Sequence, residues 1–410
     1  MNILIIHQYF LEKNGVGGSR FNQFAKYWAG CGHKVTVVSG MVDYTSGKKL
    51  NNYKNKWVNK EIIDDGITVY RCFVSEQYNK NFLGRLWAYF SFVFSSIWAI
   101  LFCVSRPDVI VTTSPPLFVA IPGYLAKIFK RAPLIFEVRD LWPKFAIDEG
   151  ILKNKLIIKL SLWLEAFIYR QADLVNVLTP AFEEYLISEK GVKKDKIIYI
   201  PNGADLDIFL PGPKDNWVRQ QYHWDNKFII LYVGAHGVAN NLIQLINVAE
   251  SLRTNPEILF VLIGNGMEKP QLQKVVREKN LTNIQFLESM PKNKIVDFIN
   301  AADVCTAVLK KIYTTTYPNK VFDYMSCKKP TILPIDGAAR KLVINQAQAG
   351  LFVEPENVQQ FKEATLRLYQ HPEEVKIFGE NGYRFVTQNF DRQKLAEKYL
   401  LFILNLTNQC

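Results

Sequence analysis

The chain has 410 residues, 49% of them hydrophobic and 21% charged, with a formal net charge of +12. That composition excludes a disordered or fibrous protein, and the length exceeds what one core usually serves, so two domains of roughly 200 residues are expected. The excess of Lys and Arg calls for an anionic partner: nucleic acid, anionic lipid or a phosphorylated substrate.

Six cysteines (Cys31, Cys72, Cys103, Cys305, Cys327, Cys410) are scattered without a CxxC pair, which argues against a disulfide framework or zinc site and suits a reducing compartment. Asn2-Ile3-Leu4-Ile5-Ile6 runs straight into polar His7-Gln8, so no signal peptide is expected.

The first half alternates strand and helix. Ile3–Ile6 reads as a short strand, followed by a loop ending in Gly15-Val16-Gly17-Gly18-Ser19-Arg20, a helix to about Ala29, and a second strand at Val35–Ser39. Residues 41–60 are polar and lysine-rich, without periodicity, and read as an excursion. Strand material follows between Ile62 and Phe73 around Asp64-Asp65-Gly66.

Leu86 to Ser105 then carries no charge over twenty residues, between Arg85 and Arg106. By length it qualifies as a membrane span. A span here would, however, put the first two strands across the membrane from the rest of their sheet. A core helix is the plain alternative, yet Trp87, Tyr89, Phe90, Phe92, Phe94 and Trp98 are more bulk than one buried face needs. A helix partly buried and partly dipped into the lipid interface accounts for the excess, with Trp87, Phe90, Phe94 and Trp98 facing lipid and nearby Lys and Arg holding anionic headgroups.

Strands at Val109–Thr112, Leu134–Glu137, Leu174–Leu178 and Ile197–Ile200 complete the half, with helices at Val119–Phe129, Lys155–Gln171 and Pro180–Ser188. Pro201-Asn202-Gly203, with the Pro- and Asp-rich segment to Pro213, reads as a domain link, and Asp205-Leu206-Asp207 within it as structural. The second half repeats the alternation: strands at Phe228–Val233, Leu259–Ile263, Ile284–Leu287, Val304–Val308, Thr331–Leu333 and Leu351–Val353, with helices at Leu242–Leu252, Lys269–Lys279, Lys294–Asn300 and Pro318–Ser326. Asp391 to Leu406 is helical, apolar on one side, and needs a docking surface. An α/β protein of two doubly wound, Rossmann-like domains results.

Doubly wound sheets bind ligands in the loops after their strands. Gly17 and Gly18 allow close approach after the first strand, but GxGxxG is absent and Ser39-Gly40 stands where a dinucleotide site has an acid, so a nicotinamide reading is weak. Gly234-Ala235-His236-Gly237 and Gly264-Asn265-Gly266 follow strands of the second domain; His236 is a candidate phosphate donor, or an incidental turn residue. Lys320 falls in the first turn of a helix, where free N–H groups and the dipole favour an anion. Asp323, one turn on, suits a ligand hydroxyl; the plain alternative is a surface helix with ordinary charges. Asp140, directly after a strand, is a candidate base for an acceptor hydroxyl or a cap of the next turn. Arg139 is a candidate phosphate partner. No nucleophilic triad or metal-spaced cluster is seen.

Taken together, Gly17-Gly18-Ser19-Arg20, Pro201-Asn202-Gly203-Ala204-Asp205, Ile263-Gly264-Asn265-Gly266 and Pro318-Asn319-Lys320-Val321-Phe322-Asp323-Tyr324-Met325 resemble family 4 of the GT-B glycosyltransferases, in order and over nearly the whole chain. Ser114-Pro115-Pro116 and Arg139-Asp140-Leu141-Trp142-Pro143 narrow the likeness to the WbuB-like bacterial transferases that build O-antigen or capsule repeat units, some of which use N-acetyl-L-fucosamine.

The resemblance implies a GT-B fold with two domains facing a central cleft: an acceptor-binding, membrane-associated domain over 1–204, a donor-binding domain over 205–388, and a crossover helix over 389–410. It implies retaining, metal-independent transfer from a UDP-sugar, UDP-N-acetyl-L-fucosamine being one candidate, to an undecaprenyl-diphosphate-linked sugar. The setting would be the cytoplasmic face of the inner membrane, with peripheral attachment. No cofactor is expected, since the nucleotide sugar is a substrate, and no nucleic acid partner. By position, Lys320 would hold the donor diphosphate and Asp323 the ribose. His236, Gly237, Gly266, Thr315, Val321 and Phe322 would complete the donor site, with Gly17 and Gly18 closing over the diphosphate. Asp140 would serve the acceptor, with Arg139 and Trp142 beside it.

Two departures stand out. The family's two glutamates, seven residues between them, fall on Thr315 and Asp323, so side chains around Thr315, Ala338 and Ala339 are expected to set donor choice. The usual Arg and Lys after the first donor-domain strand are replaced by His236 and Asn241, which leaves more of the diphosphate charge to Lys320. Two other functions fit parts of the pattern. A UDP-sugar 2-epimerase shares the architecture but requires no lipid acceptor. A non-catalytic basic nucleic-acid-binding module would need its aromatics among the lysines, whereas here they concentrate in an uncharged helix.

Overall fold

The computed structural model describes residues 1–11, 20–42, 48–49, 51–63, 66–77 and 82–408. The chain forms two compact units, one of Met1–Pro201 with the chain from Gln393 onward, the other of Asn202–Arg392.

Unit 1 is built on strands β1 (Asn2–Ile6), β2 (Lys34–Gly40), β3 (Val58–Ile63), β4 (Ile67–Cys72), β5 (Val109–Ser114), β6 (Leu134–Val138), β7 (Leu174–Val177) and β8 (Ile197–Tyr199). They form one sheet in the order β3-β4-β2-β1-β5-β6-β7-β8, parallel except for the antiparallel edge strand β3. Alternate residues of β1 serve opposite faces: Leu4 and Ile6 join one core, Ile3 and Ile5 the other. The first core packs under helices α2 (Phe82–Phe102), α3 (Ala120–Lys130), α5 (Lys155–Gln171) and α6 (Pro180–Ser188), with a short α4 (Lys144–Asp148) between α3 and α5. The second packs under α1 (Arg20–Gly30) and the C-terminal helix Arg392–Asn408. That last helix finds the docking surface its apolar side requires. Tyr399 meets Phe24 and Trp28 edge-on at 5.8 and 5.6 Å, and the Trp28 indole N–H donates to Ala396 O at 3.0 Å.

β3 starts inside the stretch expected to be an excursion. Its residues alternate between half-buried and exposed, as an edge strand can, so it lacks the apolar run that marks the central strands. Below the sheet's carboxyl edge, buried Arg20 bonds Glu137 (Nε to Oε1, 3.1 Å), Ile200 O (2.7 Å) and Pro201 O, while Asn176 Nδ2 donates to the other Glu137 oxygen at 2.9 Å. The network fixes where the chain leaves unit 1.

Unit 2 holds strands β9 (Phe228–Val233), β10 (Ile258–Ile263), β11 (Ile284–Leu287), β12 (Val304–Thr306), β13 (Thr331–Leu333) and β14 (Gly350–Phe352), all parallel, in the order β11-β10-β9-β12-β13-β14. Its helices are α7 (Trp217–Tyr222), α8 (Ile243–Ser251), α9 (Lys269–Glu278), α10 (Lys292–Ala301), α11 (Asn319–Ser326), α12 (Ala338–Arg340), α13 (Val358–Gln370) and α14 (Pro372–Asn389); the C-terminal helix of unit 1 is α15 (Arg392–Asn408).

α13 and α14 occupy a stretch where the sequence pattern marks no element. α14 carries Gly379 and Gly382 in its interior, a composition that lowers helix propensity. The packing explains it: a Cβ at Gly379 would run into the Lys328 carbonyl at the end of α11. Both ends of unit 2 meet at a clasp. Ala204 N donates to Phe390 O at 2.8 Å, and Arg392 N donates to Ala204 O at 3.0 Å. Asp205 pairs with Arg392 and, at 2.6 Å, with Lys292.

Candidate active site

In each sheet the strand order reverses beside the first strand of the unit, and the crevice at the carboxyl ends of the strands flanking that point is where such folds bind ligands. In unit 2 the flanking strands are β9 and β12. Tyr324 of α11 accepts a hydrogen bond from Val233 N at 2.9 Å, which ties this helix to the end of β9. Lys320 is thereby brought over Tyr232, its ammonium 3.7 Å from the ring centroid. The same ammonium borders Gly234, where an added Cβ would lie 2.7 Å from Nζ. Among the described residues no carboxylate lies within ion-pair distance of Lys320. Burial lowers its pKa to about 7, with Asp323 acting weakly in the opposite sense. A cation so held lacks a counter-charge, which an anionic ligand can supply.

The glycine turns form one surface with it. His236 N donates to Asn265 O, and Glu268 N to His236 O, each at 2.9 Å; a Cβ at Gly266 would strike the His236 backbone. Lys269, which sequence patterns do not single out, locks the arrangement from below: Nζ donates to Gly264 O (2.9 Å), Leu287 O (3.0 Å) and Glu288 (2.7 Å). The His236 ring is fully buried against Tyr232 and Phe286, and burial, reinforced by Lys269 and Lys320, lowers its pKa to about 4. Its ring is therefore neutral at pH 7 and lies beneath the loop surface, whereas Gly237 is half-buried and Gly266 exposed.

Asp323 lies one turn beyond Lys320 and next to the clasp. Burial raises its pKa to about 7; Asp205 adds to the rise, and Lys292, Arg392 and Lys320 oppose it. Thr315 is half-buried, and its neighbour Thr314 accepts a hydrogen bond from Ala338 N at 2.7 Å, so the Thr315 and Ala338-Ala339 segments are adjacent. Val321 and Phe322 are fully buried, Phe322 against Tyr317 and Phe390; their side chains belong to the core. Asn241 is engaged elsewhere, donating to Glu356 at 2.9 Å.

In unit 1 the reversal lies between β1 and β5. Here His7, buried, contacts Thr113 Oγ1 through Nδ1 at 2.9 Å, and Arg139 Nη1 donates to its Nε2 at 3.4 Å. Accepting at Nε2 fixes the neutral ring as the Nδ1–H tautomer, donating to Thr113. Burial, then Arg139 and Arg71, holds its pKa well below the usual histidine value, so it stays neutral. Arg139 is thus positioned beside Asp140, whose carboxyl burial raises to about 6, against the pull of Arg139. Trp142 packs on Phe118 at 5.8 Å. Gly17 and Gly18 lie outside the described residues.

α2 shows the expected two-sidedness. Ala88, Phe92, Ala99 and Ile100 enter the core, whereas Trp87, Phe94 and Trp98 are exposed and Phe90 is half-buried against Phe118. By length and composition Leu83–Phe102 could cross a membrane, and less than half of its most apolar stretch is buried. Among the described residues, no group of three or more His, Cys, Asp or Glu is arranged to hold a metal ion.

Residues 16–203 match the glycosyl transferase 4-like domain, and residues 213–385 match the glycosyl transferases group 1. The chain belongs to family 4 of the GT-B glycosyltransferases, among those of WbuB-like type. It is 27% identical over 321 residues to WcaI of Escherichia coli K12, a glycosyl transferase assigned to colanic acid biosynthesis, covering 76% of this chain and 77% of that one. It is 25% identical over 283 residues to the E. coli UDP-Gal:alpha-D-GlcNAc-diphosphoundecaprenol alpha-1,3-galactosyltransferase, covering 67% and 71%. The fold matches that of Anabaena Alr3699/HepE in complex with UDP-glucose, with a TM-score of 0.72 at 16% identity over the whole of both chains.

Proposed function

We propose that the protein is a retaining, metal-independent glycosyltransferase of polysaccharide biosynthesis. It moves a sugar from a UDP-sugar to an undecaprenyl-diphosphate-linked sugar in the building of O-antigen or capsule, at the cytoplasmic face of the inner membrane. The observation that carries the reading is Lys320, a half-buried ammonium without an ion-pair partner among the described residues, at the strand-order reversal of unit 2. In this reading it binds the donor diphosphate and balances charge that develops on the leaving group. Asp323 accepts from the ribose hydroxyls, and the turns containing Gly237 and Gly266 allow close approach of the donor. Thr315 with Ala338 and Ala339 shapes the sugar pocket. In unit 1, Asp140 is the group that takes the acceptor proton, with Arg139 and Trp142 contacting the acceptor. A UDP-glucose complex of a protein of the same fold, and a relative acting on a diphosphoundecaprenol sugar, support the choice of donor and acceptor class. UDP-N-acetyl-L-fucosamine is one donor to test. The exposed aromatics of α2 support peripheral attachment.

The test is a binding screen with UDP, GDP, UDP-sugars, oligonucleotides and anionic liposomes, with and without EDTA. Saturable UDP binding that survives EDTA, together with recruitment to liposomes, is expected. Oligonucleotide binding that persists at saturating UDP would favour a nucleic-acid module instead, and acceptor-free conversion of a UDP-sugar to its 2-epimer would favour an epimerase.

A further inference from the structure

We infer that α5 and the C-terminal end of α3, and not α2 alone, form the surface of unit 1 that docks on an anionic bilayer. This rests on the peripheral-membrane reading above, which assigned lipid contact only to α2. α5 is apolar on two sides. Ile168 and Tyr169 enter the core, while Leu156, Leu160 and Trp163, spaced along one helical stripe, are 66%, 56% and 57% exposed. A soluble helix keeps its outward stripe polar; this one does not. On α3, Ile128 and Phe129 are likewise exposed.

The three helices form one continuous wall on the same face of the sheet. Lys130 of α3 donates to Leu101 O and Val104 O (3.3 and 2.8 Å) at the end of α2, and Lys127 donates to Gln171 O (2.8 Å) at the end of α5. Tyr124 of α3 meets Phe167 of α5 edge-on at 4.7 Å.

Charge selects the occupant. The three helices carry a single acidic residue, Glu165, and it is buried, accepting from Tyr169 at 3.2 Å and pairing with Lys190 at 2.7 Å. The charges left at the surface of the helices themselves are basic, among them Lys155, Lys159 and Arg170 on α5, with Arg131 just beyond α3; at the margin, Asp173 past the end of α5 is neutralised by Lys127 at 2.7 Å. Apolar side chains inserted among headgroups, with a tryptophan at the boundary and lysines around them, suit an anionic bilayer. A second copy of the chain would bring like charges together.

The test is sedimentation of the full chain with vesicles of phosphatidylcholine alone or with about 30% phosphatidylglycerol, enough to set a negative surface potential. The variants are Leu160→Glu/Trp163→Glu on α5, Phe94→Glu/Trp98→Glu on α2, and the charge reversal Lys155→Glu/Lys159→Glu, which changes only exposed lysines and carries little risk to folding. Each variant's melting temperature is checked against the parent. Both α5 variants are expected to bind phosphatidylglycerol vesicles at least tenfold more weakly. If the α5 variants bind like the parent while the α2 variant is released, α5 is not a lipid contact, although the membrane reading survives. Should all variants bind like the parent, both ideas fail. A parent chain that dimerises through α5, with the double variant monomeric, would assign the wall to a second copy and overturn the inference.

Discussion

Replacing Lys320 by alanine removes an ammonium that no carboxylate among the described residues pairs with. Burial lowers its pKa from 10.5 to about 7, against the opposing pull of Asp323, so the charged form is held at an energetic cost that no ion pair among the described residues offsets. A bound diphosphate restores a counter-charge and recovers much of that energy. In the alanine variant water enters beside Tyr232 and Gly234 and screens the diphosphate in part, so only a fraction of the full amount is lost. Removal of one such donor typically costs ~10²-fold or more in turnover, close to 3 kcal/mol. Steady-state transfer assays should show at least that fall, and UDP should bind more weakly by calorimetry. Melting temperature should hold or rise, because a buried charge without a partner is gone. Lys320→Arg keeps the charge and should retain more activity than alanine. A Lys320→Ala enzyme with rates within about threefold of the parent and normal UDP affinity would refute the assignment.

UDP affinity should peak near neutral pH: the Asp323 carboxylate, with its pKa raised to about 7, is protonated below that value, and the Lys320 ammonium, lowered to about 7, is lost above it. Calorimetry across this range should show both limbs, and Lys320→Arg should flatten the alkaline one while leaving the acid one. Asp140→Asn should lower kcat by ~10²-fold or more with UDP affinity unchanged; the parent rate should climb as pH passes through about 6 and Asp140 ionises. A parallel loss of UDP binding would move Asp140 out of the acceptor role. Asp205→Ala takes the shared carboxylate from Arg392 and Lys292 and should destabilise the protein by about 3–5 kcal/mol in urea denaturation. A loss below ~1 kcal/mol would show the clasp to be a solvent-screened surface pair.

The parts of the fold legible in the sequence are those whose pattern is local. Phe228–Val233, Ile258–Ile263 and Thr331–Leu333 stand out as apolar runs because central parallel strands are buried on both faces. β3 and α14 escape because an edge strand is half polar and α14 spends two positions on glycine to approach α11. At the site, the glycine turns and Lys320 could be found because ligand loops follow strands. The depth of a turn cannot be read, so nothing local says that the His236 ring is buried or that Val321 and Phe322 face the core. The cluster of His7, Thr113 and Arg139 joins residues 106 and 132 positions apart. Only the strand order brings their strands together, and no periodicity reports it. Tyr232 under Lys320 is hidden for the same reason: one lies on β9, the other on the helix after β12.

Sugar transfer from a UDP-sugar bound at Lys320 to a lipid-linked acceptor, as proposed, is open to direct assay. The most direct measurement is incubation with a panel of nucleotide sugars and a synthetic polyprenyl-diphosphate sugar, followed by mass spectrometry and NMR of the anomeric proton. Release of UDP is expected, together with a lipid product heavier by one glycosyl residue, with the donor's anomeric configuration retained and the yield sharply reduced in Lys320→Ala. A nucleotide sugar recovered unchanged or epimerised with every acceptor, or a product formed equally well without Lys320, would contradict it.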